Sequence, residues 1–402
     1  MPPLMILPDA PWRHRPGLDT LVAALGTGGA RFVGGAVRDT LLGRDVQDID
    51  IATPLAPRAV IDRLGDAGIK TVPTGIAHGT VTAVLPDGPV EITTLRRDVS
   101  TDGRRAIVAF SDDWREDAAR RDFTVNALYA DPVTGEIFDP FGGLDDLSAG
   151  RVRFIGDPAA RIAEDHLRIL RFFRFHARFG AGAPDEAGLA ACESRAKDLM
   201  ALSRERIADE LTKLLALPDP APTVRQMQAR GIFLPVLPEI DAAAVARLES
   251  LVALESEAGI APDAQRRLIA LLPPEPRAAD GVATRLRASK ALRKRIATAV
   301  TADGAGPAEI LYRWGLGPAL DRLLLSQASV EEVLPALRAI EEMERPVLPI
   351  GGGALVARGL KAGPLVAQAL HAVERRWIDE GFPDAARLRV IADEVVAASL
   401  AG

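Results

Sequence analysis

The chain contains almost no cysteine, with Cys192 alone among its 402 residues. A single thiol cannot close a disulfide within the chain or supply a cysteine zinc site, so a disulfide-stabilised scaffold is excluded. Such low cysteine usage is typical of proteins in a reducing compartment. We therefore expect a cytoplasmic location.

Long apolar segments and an excess of positive charge are also missing. No run approaches the roughly 18 apolar residues that a membrane span needs. Residues 1–17 include five prolines and lack the continuous apolar stretch of a secretory signal, so we expect no membrane association. The formal net charge of −6 excludes a protein that coats nucleic acid through overall positive charge. A polyanionic partner must then be bound by local basic patches, and the sequence leaves the oligomeric state open.

The apolar content, 48%, is sufficient to fill the cores of about two to three domains. Residues 20–155 mix short β-type runs with glycine turns and helical stretches. From Asp157 onward, alanine, leucine, arginine and glutamate recur at helical spacing nearly to the C terminus. These patterns predict an α+β fold, in which a mixed sheet-and-helix domain precedes an all-helical half.

The segment Phe32-Val-Gly-Gly-Ala-Val-Arg-Asp39 is the first one that indicates chemistry. A strand that enters Gly34-Gly35 before a helix lets backbone N–H groups approach a phosphate closely. Arg38, one turn into that helix, would neutralise part of the phosphate charge. The alternative interpretation is a plain tight turn between a strand and a helix.

A pair of carboxylates follows in Asp48-Ile49-Asp50. On a strand, both acids lie on one face while Ile49 enters the core. Neighbouring carboxylates repel each other unless a cation lies between them, and oxygen ligands of this kind suit Mg²⁺. We therefore predict that Asp48 and Asp50 are catalytic residues that bind Mg²⁺. Glu91, on another predicted strand, is a candidate third carboxylate, with a structural role as the alternative.

Five segments in this order resemble the class II nucleotidyltransferases, the family of tRNA CCA-adding enzymes and bacterial poly(A) polymerases. The segments are Gly34–Asp50, Arg120–Ala127, Asp139–Pro158, Glu164–Arg174 and Leu202–Glu210. The resemblance covers about residues 25–215. It implies a nucleotidyltransferase palm like that of polymerase β at 25–155, after an N-terminal extension at 1–24. It also implies a helical neck at 156–216 and a tRNA-binding helical body and tail at 217–402.

The resemblance implies template-independent addition of cytidine, cytidine and adenosine to the 3′ end of tRNA, with CTP and ATP as substrates. Two Mg²⁺ ions on Asp48 and Asp50 would support in-line nucleotidyl transfer. In Arg120-Arg121-Asp122, a guanidinium can bind the ribose or triphosphate while the acid accepts from a ribose hydroxyl. The implied nucleotide-binding residues are Gly35, Arg38, Arg121, Asp165, Arg168, Arg171 and Arg174.

Asp165 and Arg168 are the implied base-reading pair. Asp157, as an N-cap followed by proline, predicts one continuous helix through Phe175. On such a helix, the base-reading residues are i and i+3 neighbours. A solvated ion pair on the helix surface is the alternative interpretation.

Three other functions stay open at this point. Poly(A) polymerases share the head and neck, although residues 391–402 are not the basic tail that processive RNA holding would favour. CC-adding and A-adding enzymes are a second alternative, against which the segments 98–105 and 112–115 resemble the flexible loop of full CCA-adding enzymes. A catalytically inactive RNA-binding module is the third, and the presence of Asp48, Asp50 and Arg121 argues against it.

Positive charge is concentrated between Arg266 and Arg295, a segment that contains nine lysines and arginines but only two acids, Glu275 and Asp280. In an acidic protein that must hold RNA, this cluster predicts a surface that contacts tRNA phosphates. The alternative is a solvated helix face. The candidate RNA-binding residues are Lys290, Arg293, Lys294 and Arg295.

Overall fold

The computed structural model describes residues 5–101, 106–301, 304–326 and 329–401, with the backbone alone at 98–101 and 106–108. The segment that resembles a flexible loop therefore lies partly outside the described residues. The chain divides into two compact units, residues 1–241 and 242–402. All of the described strands belong to the first unit, and the second is helical, which confirms the predicted α+β class.

The first unit is built on a seven-stranded sheet with the strand order β3-β4-β5-β2-β1-β8-β9. Among the described strands, only β2 and β5 pair in parallel, and β6 and β7 form a separate hairpin. The strands are β1 (Arg31–Val33), β2 (Ile49–Thr53), β3 (Thr71–Gly75), β4 (Thr80–Leu85), β5 (Gly88–Thr94), β6 (Arg96–Thr101), β7 (Ala106–Phe110), β8 (Tyr129–Ala130) and β9 (Ile137–Phe138).

Helices cover the sheet and continue into the rest of the first unit. They are α1 (Leu18–Leu25), α2 (Gly35–Leu41), α3 (Pro57–Asp66), α4 (Trp114–Ala119), α5 (Gly143–Ser148), α6 (Pro158–Glu164), α7 (Arg168–Phe179), α8 (Glu186–Ser194), α9 (Arg204–Leu215) and α10 (Ala221–Ala229). Short 3₁₀ turns occur at Pro11–His14, Ile76–His78, Thr124–Asn126 and Ala196–Ala201.

The two faces of the sheet are chemically different. Ile49, Ile51 and Ile92 pack into the main core with residues of α1, α2 and α3. Since side chains alternate along a strand, Asp50 and Glu91 lie on the opposite face. Burial of Ile49, Ile51 and Ile92 thus fixes the strands that carry Asp50 and Glu91.

The predicted continuous helix from Asp157 to Phe175 is wrong, because the chain breaks it at Asp165. This residue has φ −149° and ψ 106°, so α6 ends at Glu164 and α7 begins at Arg168. Helix α7 packs against both α9 and α10. The first unit extends to residue 241 and includes α10, and the neck boundary at residue 216 stays a prediction.

The described part of the second unit consists of helices that pack around several small apolar cores. The helices are α11 (Ala242–Glu257), α12 (Ala264–Leu271), α13 (Pro276–Arg285), α14 (Lys290–Val300), α15 (Pro307–Trp314), α16 (Leu316–Leu324), α17 (Val330–Glu342), α18 (Gly352–Val356), α19 (Pro364–Asp379) and α20 (Ala385–Ala401). One core joins Leu251, Leu324 and Leu337, and another joins Trp377 and Ile391. Within the described ranges, no helix has the length and apolarity to cross a membrane.

Candidate active site

The predicted catalytic carboxylates lie where β2 and β5 run side by side. Asp50 is directly opposite Glu91 in the parallel register, and Asp48 immediately precedes β2. Burial raises the pKa of Asp50 to about 6, an effect to which the charges of Glu91 and Asp48 add and which Arg121 opposes. The structure thus places the candidate third acid, Glu91, beside Asp50.

These donors fit a magnesium ion by their chemistry. The groups are carboxylates, and burial of Asp50 next to Glu91 makes its negative charge costly, which a bound cation would relieve. Mg²⁺ commonly takes one or two carboxylates and completes its shell with water and substrate phosphates. In the part of the chain that the structure describes, no three Asp, Glu, His or Cys side chains are already grouped as metal ligands.

The predicted phosphate-binding turn lies at the start of α2. Gly34 has φ +66° and ψ −115°, a backbone conformation that residues with a Cβ rarely adopt. A Cβ placed on Gly34 would lie 3.5 Å from Arg121 Nη1, whereas one on Gly35 would meet only the Arg38 side chain, at 3.8 Å. The backbone at Gly35 is therefore open to close approach, and Arg121 reaches the same turn.

Arg38 is buried and its guanidinium is engaged by protein groups. It donates from Nε to Asp39 Oδ1 at 2.8 Å and from Nη1 to Asn126 Oδ1 at 2.5 Å. Its guanidinium carbon lies 4.1 Å from the ring centroid of Phe179, and burial lowers its pKa. Arg38 therefore links α2 to α7, and its contact with the triphosphate stays a prediction.

Asp122 binds protein donors through both of its oxygens. Oδ1 accepts from the Phe123 backbone N–H and from Asn126 Nδ2, and Oδ2 accepts from Arg171 Nε at 2.8 Å and Nη2 at 2.5 Å. Although burial raises it, the pKa of Asp122 falls to about 2 because Arg171 and Asn126 stabilise the charged form. In this state Asp122 anchors Arg171, so accepting from a ribose hydroxyl would add to these bonds.

Arg171 and Arg174 project from the same side of α7, as the sequence predicts, and share one buried acid. Arg174 Nε lies 2.6 Å from Glu210 Oε2, and Arg171 Nη1 lies 3.6 Å from Glu210 Oε1. Both guanidinium groups also lie over the ring of Phe175, at 4.6 Å and 5.1 Å. Helix α9 thus supplies the counter-charge that holds this arginine stripe.

The implied base-reading residues occupy the break between α6 and α7, and each has its own partner. Asp165 accepts from Arg206 Nη2 at 2.8 Å and 3.0 Å. Arg168 Nη1 lies 2.6 Å from Glu164 Oε2, and Arg168 Nη2 donates to the Arg120 carbonyl at 3.2 Å. The recorded contacts therefore do not include the intrahelical ion pair that was the alternative interpretation. Instead, the Arg168 bond reaches the loop that precedes Arg121.

Sequence reasoning assigned no role to three residues that organise this site. Asp117 accepts from Arg120 and Arg121, Tyr129 bonds to Arg121, and Asn126 bridges Arg38 and Asp122. One signal was available for Asp117, because it precedes the arginine pair by three and four residues, the spacing of facing side chains on a helix. For Tyr129, no local pattern predicts the side-chain partner, because Arg121 lies eight residues away along the chain.

Three arginines of the basic cluster in the second unit, Arg266, Arg267 and Arg295, pair with acids from outside their own segment. Arg266 and Arg267 are buried against Glu255, and Arg266 and Arg295 both bond to Asp321. The count of nine cations against two acids omitted these carboxylates because they lie outside residues 266–295.

The candidate RNA-binding residues divide into two kinds. Arg295 belongs to the buried network through Asp321, and Arg293 pairs with Asp280 at 2.8 Å. Lys290 and Lys294 are exposed. Their contact with RNA stays a prediction, for which the two lysines are now the better placed.

Two family models match residues of the first unit, and the second of them continues three residues into the second unit. Residues 30–153 match the Poly A polymerase head domain, and residues 183–244 match the probable RNA and SrmB-binding site of polymerase A. The human mitochondrial CCA tRNA nucleotidyltransferase 1 is 47% identical over 188 residues, which cover 46% of this chain and 43% of that protein. The chain thus spans less than half of this relative's length.

Longer matches extend through both units. The CCA-adding enzyme of Latilactobacillus sakei is 33% identical over 374 residues, covering 88% of this chain and 91% of that protein. The crystal structure of the Bacillus stearothermophilus CCA-adding enzyme in complex with CTP has a TM-score of 0.72 and 30% identity, covering 90% and 91% of the two chains. The sheet with its carboxylates and the helical remainder are those of a nucleotidyltransferase. The chain belongs to the class II nucleotidyltransferases, in the family of CCA-adding enzymes.

Proposed function

We propose that this chain adds the 3′-terminal CCA sequence to tRNA, without a nucleic-acid template, from CTP and ATP. The observation that carries the proposal is the pairing of Asp50 with Glu91 beside Asp48, on the sheet face to which Arg121 contributes positive charge. Relatives over nearly the whole chain are named CCA-adding enzymes, and one was solved with CTP.

The transfer joins the 3′-oxygen of the RNA to the α-phosphorus of the nucleotide. The hydroxyl proton leaves, and pyrophosphate departs with the bonding electron pair. Asp48 and Asp50, with Glu91 beside them, would hold Mg²⁺. When bound, this ion supplies Lewis-acid stabilisation of the charge that develops on the phosphate. The Gly34-Gly35 turn admits the triphosphate to close range, and Arg121 supplies a directional positive charge there.

Nucleotide choice would rest on Asp165 and Arg168. Cytosine and adenine both present an amino donor beside a ring-nitrogen acceptor, so a carboxylate and a guanidinium can meet either base. Uracil presents the reverse pattern, which leaves charged groups unpaired. Arg168 donates to Glu164 and to the Arg120 carbonyl, and because a guanidinium has five N–H donors, these bonds can hold the group while it donates to a base.

The test is an extension assay with labelled CTP and ATP in the presence of Mg²⁺. The acceptors are tRNAs that end at the base before CCA, after the first cytidine and after both cytidines. We expect each to be completed to CCA and no further. A long adenosine tract would indicate a poly(A) polymerase, and arrest after two cytidines or addition of adenosine alone would indicate a partial enzyme. Absence of transfer in all cases would contradict the proposal.

A further inference from the structure

The guanidinium of Arg121 has three nitrogen atoms, and two of them are held by buried protein groups. Its Nε donates to the Tyr129 hydroxyl at 3.1 Å, and its Nη2 donates to Asp117 Oδ2 at 3.2 Å. The third nitrogen, Nη1, lies 3.5 Å from the position that a Cβ on Gly34 would take. The two anchors therefore leave Nη1 at the glycine turn.

The two anchoring groups are bonded to each other. The Tyr129 hydroxyl donates to Asp117 Oδ2 at 2.7 Å, and Asp117 Oδ1 accepts from Arg120 Nε at 2.9 Å. Burial favours a higher pKa for Asp117, but the charges of Arg121 and Arg120 outweigh it and hold the pKa below its ordinary value. The buried carboxylate is thus charged and fixed by several donors.

Tyr129 is tied to the same backbone as the glycine turn. It pairs with Val33 in the register of β1 and β8, and the Gly34 N–H donates to the Leu128 carbonyl at 3.0 Å. Its ring packs edge-on against Trp114, with the centroids 5.6 Å apart. The sheet therefore sets the distance between the Tyr129 hydroxyl and the turn.

We propose that Tyr129 and Asp117 are positioning residues for nucleotide binding, which aim Arg121 Nη1 at the triphosphate along the Gly34 turn. The inference rests on the proposed function for the identity of the nucleotide. The class of ligand follows from local chemistry, because a guanidinium N–H at a glycine turn suits an anionic phosphate oxygen. Both residues act through Arg121.

Tyr129→Phe tests this role because it removes the hydroxyl and keeps the ring. The dissociation constants for CTP and for inorganic tripolyphosphate, measured by calorimetry with Mg²⁺, should both rise about five- to tenfold. The KM for CTP should rise similarly, with kcat nearly unchanged. The matched control is Tyr312→Phe in the second unit, which removes a hydroxyl bond of 2.6 Å to Glu374 and should leave these constants unchanged.

A double-mutant cycle separates positioning from general support of the fold. If Tyr129 acts through Arg121, then Tyr129→Phe should have no further effect on tripolyphosphate binding once Arg121→Ala is present. Asp117→Asn should behave in the same way with a larger single effect, at a temperature where its thermal melt shows a folded protein. Additive losses, or unchanged tripolyphosphate binding in Tyr129→Phe, would overturn the inference.

The cycle also distinguishes this inference from the proposed function. Tripolyphosphate has no base and needs no RNA, so its binding reports on the phosphate-binding groups, and the cycle with Arg121→Ala isolates the part that depends on this arginine. If the unaltered protein failed to extend tRNA, the proposed function would be contradicted. The tripolyphosphate cycle would still decide whether Tyr129 and Asp117 position Arg121.

Discussion

The arginines of the two units are arranged differently, although the sequence predicts that both sets bind phosphate groups. In the first unit, the side chains of Arg121, Arg171 and Arg174 are 19%, 29% and 11% exposed, and each contacts a buried carboxylate. In the second unit, Arg266 and Arg267 are 6% and 1% exposed. Arg121, Arg171 and Arg174 therefore leave more surface accessible to an anionic ligand than Arg266 and Arg267 do.

This difference indicates which arginines are able to bind a phosphate. In the second unit, Arg266 bonds to Glu255 and to Asp321, so its charge is neutralised by acids inside the protein. In the first unit, Arg121 has two nitrogens anchored and the third at a glycine turn. An arginine held through part of its guanidinium is the one that can position a ligand, because anchoring limits the entropy lost on binding.

The largest expected effect comes from replacing a catalytic acid of the first unit. The charge of this acid is expected to support catalysis and to lower the stability of the fold. Asp50→Asn should lower the rate of nucleotidyl transfer by about a thousandfold or more, since a bound metal contributes several kcal/mol and about 1.4 kcal/mol is a factor of ten. Binding of tRNA should change little. Single-turnover CMP incorporation and a tRNA titration measure the two quantities, and substantial residual transfer would remove Asp50 from the catalytic role.

The same variant should be more stable than the unaltered protein in the absence of metal. The pKa of Asp50 is raised from 3.8 to about 6, so its ionisation opposes folding above pH 6. At pH 8, Asp50→Asn should increase the free energy of unfolding by about 1–3 kcal/mol. The difference should shrink as the pH falls through 6 and vanish below 3.8. Denaturant titrations at several pH values check this, and a destabilised variant at pH 8 would contradict it.

The second unit should show the opposite behaviour, which sharpens the comparison. Asp321→Asn leaves Arg266 and Arg295 without one of their buried partners, and breaking such a network costs about 3–5 kcal/mol of unfolding free energy. Asp280→Asn is the control, because its pair with Arg293 is about half exposed and should contribute at most about 1 kcal/mol. If the two variants lost equal amounts of unfolding free energy, the buried network would contribute no more to stability than the half-exposed pair.

Much of the sheet was predictable because its signals are local. The strand Arg31–Val33, the Gly34-Gly35 turn and the helix that follows them occur in the predicted order. The alternation of Asp48, Ile49 and Asp50 correctly placed the isoleucine in the core. The pairing of Asp50 with Glu91 was not predictable, because register depends on β5 returning beside β2 after the intervening hairpin.

The partners of the arginines were the main part that sequence could not supply. The pairs between Asp165 and Arg206, and between Arg266 and Asp321, join residues that are distant along the chain. Helical spacing predicts only neighbours three or four residues apart, as it would for Asp117 and Arg121. The break at Asp165 was missed for a related reason. Its extended backbone is set by contacts with other elements, whereas the N-cap at Asp157 is a local signal.

The next prediction concerns the base-reading residues of the first unit and tests whether Asp165 selects the nucleotide. Asp165→Ala should reduce the preference for CTP and ATP over UTP and GTP by about ten- to a hundredfold, since each mismatched buried polar group costs about 1–3 kcal/mol. Competition assays on tRNA that lacks CCA, or ends after both cytidines, measure this preference. Retention of the original selectivity would mean that Asp165 only holds Arg206 and that the base is read elsewhere.

The smallest expected effect concerns the outward-facing cations of the second unit. Lys290 and Lys294 are exposed, unlike the arginines of the buried network, so we expect them to contact tRNA phosphates. Reversing both to glutamate should raise the tRNA dissociation constant severalfold. The log–log salt slope should fall by roughly 0.9 for each lost contact with duplex RNA, because fewer counterions are released. Filter binding at several salt concentrations measures the slope.

The control variant reverses Lys70 and Lys361, which are also exposed. It makes the same charge change elsewhere on the chain and should leave the salt slope unaltered. If both double variants flatten the slope equally, the effect is one of net charge, and the second unit has no dedicated phosphate surface at these lysines.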